Sequence, residues 1–134
     1  MTVQHSDSVR NARLDALETA IGTAPHLRLY TGAQPANCAA VASGTLLIDI
    51  TLPSDWLDNA AGASKVLAGV WSGAGSADGD AGHYRVMNTA GTVCHEQGSV
   101  SNTAGTGDLK LDNISVADQQ VFEINTWSYT EGNA

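Results

Sequence analysis

The run Cys94-His95-Glu96 is the densest group of reactive side chains in this sequence, with a thiol, an imidazole and a carboxylate in a row. A cysteine nucleophile needs a histidine base within hydrogen-bond reach. Adjacent strand residues point to opposite faces, so we expect Cys94 to share a face with Glu96 and not to meet His95. His83 is another candidate base, but nothing in the sequence fixes it nearby. We therefore predict an ordinary, partly exposed strand with no catalytic residue.

Two further patterns contain residue types that bind metals. His83 and His95 could meet across a predicted hairpin if their register matched, but two ligands without a third carboxylate or thiolate make a weak zinc site. Asp78 and Asp80 alternate in a glycine-rich segment, as in the start of a calcium loop. The twelfth position of such a loop needs a bidentate glutamate, and here it is Thr89. We predict a solvated loop, no metal and no cofactor.

The two cysteines, Cys38 and Cys94, are too few for a disulfide framework and are not at metal-ligand spacing. We expect both to be reduced and half-buried. A Cys38–Cys94 bridge is the alternative if the protein finishes in an oxidising environment outside the cell.

Aromatic side chains offer a different chemistry, because an exposed row of rings can stack on sugars. Trp71 and Trp127, however, lie on predicted strands among valine and isoleucine, where filling the core is the commoner role of tryptophan. We expect them in the core, with a carbohydrate cleft as the alternative.

The N-terminal segment, residues 1–22, is predicted to be an arm followed by one short amphipathic α-helix. Ser6 or Ser8 can cap the helix and Gly22 can end it. The apolar stripe, which is our predicted partner interface, comprises Val9, Leu14, Leu17 and Ile21. The stripe could cover the rest of its own chain or another copy.

Residues 23–134 are predicted to form a single β-sandwich or jelly-roll-like domain of seven to eight strands, so the fold class is mainly β. Short alternating segments are separated by loops of small and polar residues, which is typical of such folds. The clearest predicted strands are Thr45–Leu52, Lys65–Ser72, His83–Asn88, Thr92–Ser101 and Gln120–Tyr129.

Length and charge narrow the range of functions. The 134 residues suit one domain, and six basic against fourteen acidic side chains give a net charge of −8. An acidic surface without a Lys/Arg cluster disfavours nucleic acid as a partner. We see no run near the ~18 apolar residues of a membrane span and no signal peptide in the first residues. We therefore expect synthesis in the cytoplasm and no membrane partner.

Five stretches carry a resemblance over nearly the whole chain: SVRNARLDALETAIGTAPHLRLYTGAQPANCAA, ITLPSDW, AGHYRV, AGTVCHEQGSV and DLKLDNISVADQQVFEINTWSYTEGNA. They resemble small structural proteins of tailed-phage and prophage virions. The resemblance implies an accessory particle component, in the first place a capsid decoration (cement) protein. It implies the major capsid protein and copies of the same chain, for example in a trimer, as partners. It supplies no catalytic residue, so an enzyme is not expected.

Two other functions are compatible with the sequence: a tail or baseplate accessory protein, and a host-surface module that binds glycans. For the decoration role we expect residues 1–22 to reach onto a neighbouring subunit. Their removal would then abolish particle binding while the β domain still folds.

Overall fold

The N-terminal helix begins at the residue that the sequence offers as a cap. In the computed structural model, which describes residues 2–132, α1 spans Asp7–Ile21, and the Ser6 side chain accepts a hydrogen bond from the Val9 N–H at 3.4 Å. Gly22 ends the helix with φ of 92°, a conformation that glycine adopts at little cost. The predicted helix is confirmed, with Ser6 as its cap. The described range excludes Met1, which begins the predicted segment 1–22, and it excludes Asn133 and Ala134, which end the predicted domain 23–134.

Ten strands follow the helix within the described residues. They are β1 (His26–Thr31), β2 (Leu46–Thr51), β3 (Ser64–Val66), β4 (Trp71–Ala74), β5 (Gly79–Met87), β6 (Cys94–Asn102), β7 (Leu109–Leu111), β8 (Ser115–Val116), β9 (Val121–Ile124) and β10 (Ser128–Thr130). The predicted fold class is confirmed: the protein is mainly β, with one N-terminal helix and an arrangement of sheets compatible with a β-sandwich-like domain.

The main sheet has the strand order β2-β1-β5-β6-β7, and β8 pairs with the start of β5. All of its pairings are antiparallel except the parallel β6–β7 pair. Two antiparallel ribbons, β4–β9 and β3–β10, complete the fold. A bridge between Ile48 and Gly75 joins β2 to the segment that follows β4. The core lies between the main sheet and these ribbons.

Buried side chains from every layer form one cluster. The largest fully buried apolar members are Trp56, Trp71, Leu27, Leu29, Leu47, Ile48, Ile50 and Leu57. The burial of Trp71 confirms its predicted core role. Trp127 differs, because it is only partly buried and packs at the edge of the cluster.

Two predicted strands are each divided in the structure. The segment Lys65–Ser72 contributes to β3 and β4, and the break includes Gly69, whose φ is 73° and whose missing Cβ would lie 2.8 Å from the Pro53 ring. The segment Gln120–Tyr129 contributes to β9 and β10, because its halves pair with different partners, β4 and β3. The predicted strands were therefore too long at both places.

The apolar stripe of α1 packs against the chain's own β domain. Leu14 and Ile21 are buried, and Leu17 is partly buried against the core cluster. Only Val9 is exposed, at 42% of its accessible surface. Leu14, Leu17 and Ile21 therefore cannot serve as the predicted interface with another subunit while the helix keeps this position.

Polar contacts also fix the helix. The Lys65 side chain, 1% exposed, places its Nζ 2.8 Å from Asp15 Oδ1 and 2.7 Å from Glu18 Oε2. We call these three residues the helix clamp. Burial of Lys65 works against its charge, but the bonds to Asp15 and Glu18 outweigh burial and raise its pKa. The Trp56 indole N–H also donates to the Gly22 carbonyl at 3.0 Å. The helix is thus integrated with the β domain.

Candidate functional site

A cleft of about 570 Å³ opens beside the β5–β6 hairpin, between β7 and β10. Its polar and aromatic walls include Tyr84, Glu96, Asp108, Trp127 and Tyr129, which we call the aromatic cleft. A concave site with a few converging polar groups is the usual form of a small-ligand site. We therefore take the aromatic cleft as the candidate functional site.

The hairpin register places Tyr84 over Glu96. Tyr84 lies directly opposite Gly98, where an added Cβ would be 2.6 Å from a carbon of the tyrosine ring. The ring therefore lies across the glycine, and its hydroxyl donates to Glu96 Oε2 at 2.9 Å. Glycine at position 98 is what allows the ring to take this position.

Burial dominates the electrostatics of Glu96. Burial raises the pKa of the Glu96 carboxyl, and the hydroxyls of Tyr84 and Tyr129 only partly oppose that effect. Burial also raises the pKa values of Tyr84 and Tyr129, and the nearby Glu96 charge adds to the rise. All three groups therefore keep their protons to a higher pH than in water.

Asp108 has the opposite environment. Its Oδ2 accepts the backbone N–H of Ser99 at 2.9 Å and the Ser99 hydroxyl at 3.0 Å. These bonds, the backbone bond first, lower the pKa of Asp108. The pKa values of the two cleft carboxyls are thus shifted in opposite directions, and together with the tyrosine hydroxyls they provide hydrogen-bond acceptors and donors for a ligand.

The aromatic rings surround these carboxyls. The Trp127 ring lies 5.5 Å from that of Trp71 and meets Tyr84 edge-on at 5.2 Å and Tyr129 edge-on at 6.0 Å. Trp127 Nε1 and Tyr129 Oη are buried without a hydrogen bond of good geometry, and the Tyr129 hydroxyl has only weaker contacts with Glu96 and Trp127. An unpaired buried donor costs about 1–3 kcal/mol, so native proteins usually keep few of them. These two atoms show that the hydrogen-bonding capacity of the cleft is not fully used.

The structure separates the residues of the Cys94-His95-Glu96 run. A β-bulge between Val86 and Met87 places Cys94 opposite Met87 and Glu96 opposite Val86. Cys94 and Glu96 therefore lie on different faces, and the predicted shared face is wrong. His95 is exposed.

His83 does not have either role considered for it, as the base for Cys94 or as a metal ligand together with His95. It lies opposite Ser99 and not His95, and its buried ring places Nδ1 2.9 Å from the Gly32 carbonyl. The hairpin therefore does not pair the two histidines. Within residues 2–132, no three His, Cys, Asp or Glu side chains are grouped as metal ligands.

Asp78 and Asp80 hold strand β8 in place. Asp80 belongs to β5, and its Oδ1 accepts the Ser115 hydroxyl at 2.7 Å. Asp78 Oδ1 accepts the backbone N–H of Asp118 at 2.8 Å. Both aspartates are exposed, as predicted for a solvated segment, but the predicted loop is wrong from Gly79 onward, where strand β5 begins.

Sequence reasoning did not single out Tyr84, Asp108 or Tyr129 as cleft residues. A hairpin register counted back from its turn could have brought Tyr84 near Glu96. Asp108 and Tyr129 arrive from later strands, and no local pattern marks them.

Comparison with protein-family models gives no match, and neither the curated proteins nor the solved structures give one. Of the helices within residues 2–132, none is long and apolar enough to cross a membrane.

Proposed function

We propose that this chain is a structural protein of a tailed-phage virion, which decorates the capsid and stabilises its assembled lattice. Its partners are the major capsid protein and further copies of the chain, for example in a trimer. The observation that carries the proposal is the sequence resemblance over nearly the whole chain. Such a protein acts through contact area and needs no catalytic group.

The exposed valines of the ribbons give the proposal a contact surface. Val70 is 66% exposed directly before β4, Val121 is 78% exposed on β9, and Val66 is 45% exposed on β3. Apolar side chains held on strands can pack against a partner with little loss of backbone entropy. Because α1 covers its own domain, these ribbons replace the helix stripe as the proposed capsid-binding surface.

Copy number in the particle tests the main proposal. Virions of a phage or induced prophage that encodes the chain are purified, and the chain is quantified against the major capsid protein by mass spectrometry. Hundreds of copies per particle support capsid decoration. A handful would place the chain in the tail or baseplate, and absence from the particle would overturn a virion role altogether.

Charged substitutions test the proposed surface. The double variant Val70→Asp/Val121→Asp is expected to lower particle occupancy at least tenfold, because each carboxylate would have to be desolvated in the interface. Val41→Asp, in the exposed β1–β2 loop, is the matched control and should keep full occupancy. Circular dichroism verifies that each variant is folded. Equal occupancy of the double variant and the control would exclude the ribbons as the contact surface.

A second candidate function, glycan binding, is supported by the aromatic cleft. Sugars bind proteins through ring faces that stack on aromatic side chains and hydroxyls that bond to carboxylates. The cleft offers Trp127 with two tyrosines, together with Glu96 and Asp108. A decoration protein with such a cleft could attach the particle to a glycan-coated surface.

A glycan array tests the second candidate with the full chain and two variants. Binding is expected to weaken about tenfold in Asp108→Asn, because the amide replaces one anionic acceptor with a donor. Asp58→Asn, which is exposed on another segment, should bind like the unmodified chain. No glycan binding at all, or equal binding by Asp108→Asn, would remove this candidate.

A further inference from the structure

The loop between β1 and β2 holds Cys38 in a fixed place over the main sheet. Arg85, in the centre of β5, donates from Nη2 to the carbonyls of Asn37 at 3.2 Å and Ala40 at 2.8 Å. The Ala40 N–H closes the turn by bonding to the Asn37 side chain at 3.0 Å. Cys38 lies inside this turn, between Asn37 and Ala40, whose carbonyls both accept a hydrogen bond from the Arg85 guanidinium.

Cys94 meets Cys38 from the first residue of β6. Cys94 lies opposite Met87, on the face of the sheet from which Arg85 and Gln97 bond to the loop. The Cys94 thiol donates to the Glu96 carbonyl at 3.2 Å and is close enough to the Cys38 side chain to affect its ionisation. Both cysteines are thiols in the structure and both are half-buried. Two sulfur atoms thus meet across an anchored loop and a strand.

The surroundings of this thiol pair favour its chemistry. Arg85 is only 3% exposed, and within residues 2–132 it has no carboxylate as an ion-pair partner. Its positive charge lowers the pKa of Cys94, but by less than burial and the contact with Cys38 raise it. Gln97 accepts from Arg85 at 3.0 Å and donates to the Pro35 carbonyl at 2.7 Å, so the loop is held along its length.

We propose that Cys38 and Cys94 form a modification site: an intramolecular disulfide joins them when the protein meets a small-molecule disulfide such as oxidised glutathione. The first protein thiolate attacks one sulfur of the oxidant and releases one glutathione thiolate. The second protein thiolate then attacks the mixed disulfide and releases the other glutathione thiolate. The protein loses two protons and two electrons, and the oxidant gains them as two thiols.

The two cysteines have an order of reaction. Burial, and then contact with Cys38, raises the pKa of Cys94 to about 12, so Cys94 is a poor first nucleophile near neutral pH. Cys38 therefore takes the first attack. Once Cys38 is a mixed disulfide, Cys94 is the thiol that lies beside it and completes the bridge.

The bridge would connect the β1–β2 loop to β6 across a long stretch of chain. A crosslink of this kind stabilises mainly by restricting the unfolded chain. We expect Tm to rise by roughly 5–10 °C on oxidation.

The experiment uses the full chain, reduced and then incubated with oxidised glutathione. Free thiols are counted under denaturing conditions, and the intact mass is measured without reductant. We expect two thiols to fall to none, an intact mass lower by about 2 Da, migration as a monomer, and one crosslinked peptide pair that contains Cys38 and Cys94. Because the chain has only these two cysteines, an internal bridge has no other connectivity.

Two variants that each lack one cysteine serve as controls for the disulfide. Cys94→Ser, which keeps Cys38, should gain one glutathione, whereas Cys38→Ser, which keeps the less reactive Cys94, should gain it much more slowly, and neither should show a Tm rise. If the unmodified chain also accumulates glutathione on both cysteines, forms disulfide-linked dimers or keeps two free thiols, the proposal is overturned. The decisive measurement is made on the unmodified chain, so it does not depend on the folding of either variant.

Discussion

The helix clamp and the aromatic cleft both hold polar groups out of water, but only the helix clamp satisfies them. Lys65 has two carboxylates within 2.8 Å, from Asp15 and Glu18. In the aromatic cleft, Glu96 accepts the Tyr84 hydroxyl at 2.9 Å and has a weaker contact with Tyr129, while Trp127 Nε1 and Tyr129 Oη make no hydrogen bond of good geometry. The helix clamp is closed on itself, whereas the cleft opens to a volume of about 570 Å³.

This difference distinguishes the helix clamp, whose polar groups support the fold, from the aromatic cleft, whose polar groups are available to a ligand. A paired charge at the join between α1 and β3 ties the helix to the sheet. Unpaired donors beside a cavity are instead positioned to bond with something that enters it. Variants of the helix clamp should therefore change stability most, and variants of the cleft carboxyls should change stability little.

Deleting residues 2–22 is expected to have the largest effect, the loss of cooperative folding. The deletion removes the buried side chains Leu14 and Ile21, worth about 2 kcal/mol each, and leaves Lys65 without its carboxylates. The loss is comparable with the whole stability of a small domain, about 5–15 kcal/mol. We expect no sharp transition in thermal unfolding followed by circular dichroism.

Deletion of residues 2–5 alone is the control, since it keeps α1 and its cap. A cooperative transition near the native Tm in the longer deletion would contradict the integrated role of the helix. It would also restore our first expectation that the β domain folds without residues 1–22.

The helix clamp can be broken more selectively with the double variant Asp15→Asn/Glu18→Gln. The Lys65 ammonium would then stay inside the protein without a neutralising charge, and we expect Tm to fall by about 5–10 °C. Adding Lys65→Met removes the stranded charge, so the triple variant should regain most of the loss. If the triple variant is no more stable than the double variant, the ion pairs are not what holds the helix.

The sequence predicted what depends on local geometry. The Ser6 cap, the Gly22 stop and the hairpin formed by the predicted strands His83–Asn88 and Thr92–Ser101 could be predicted, because neighbouring residues determine each of them. The bulge between Val86 and Met87 was not, and it moved Cys94 and Glu96 to different faces. A bulge depends on how two whole strands pair, which no short stretch encodes.

The cleft was hidden for a similar reason. Tyr84 and Glu96 come from one hairpin, but Asp108 directly precedes β7, which pairs with β6, and Tyr129 lies on β10, which pairs with β3. The sequence presented these later residues as ordinary positions of short strands. Only the path of the chain after β6 brings them together.

Gly98→Ala tests how the cleft is built and should cost about 1–3 kcal/mol of unfolding free energy. The new methyl group would lie 2.6 Å from the Tyr84 ring and displace it from Glu96. In a Tyr84→Ala background the same substitution should be neutral or slightly stabilising, because the ring is gone and alanine suits a strand better than glycine. Gly132→Ala, which meets no atom, is the control. Equal costs in both backgrounds, measured by urea unfolding, would show that the ring does not lie across Gly98.

The two cleft carboxyls should give the smallest effects, with opposite dependence on pH. Since burial raises the folded pKa of Glu96 above its ordinary 4.5, the folded state binds more protons, and this carboxyl lowers stability as pH rises through and above 4.5. Glu96→Gln should therefore gain stability relative to the unmodified chain, by up to about 1 kcal/mol at neutral pH. The gain should vanish near pH 4.

Asp108 should behave in the reverse way. Because the Ser99 bonds lower its folded pKa below 3.8, its contribution is present above that value and is lost as pH falls through and below it. Asp108→Asn should then be less stable than the unmodified chain at neutral pH, with a deficit that shrinks on acidification. Urea unfolding of both variants from pH 3 to pH 8 measures the two trends. Parallel curves would mean that the pKa values of Glu96 and Asp108 are not shifted in opposite directions. The proposal that these carboxyls help the cleft to bind a sugar would then lose support.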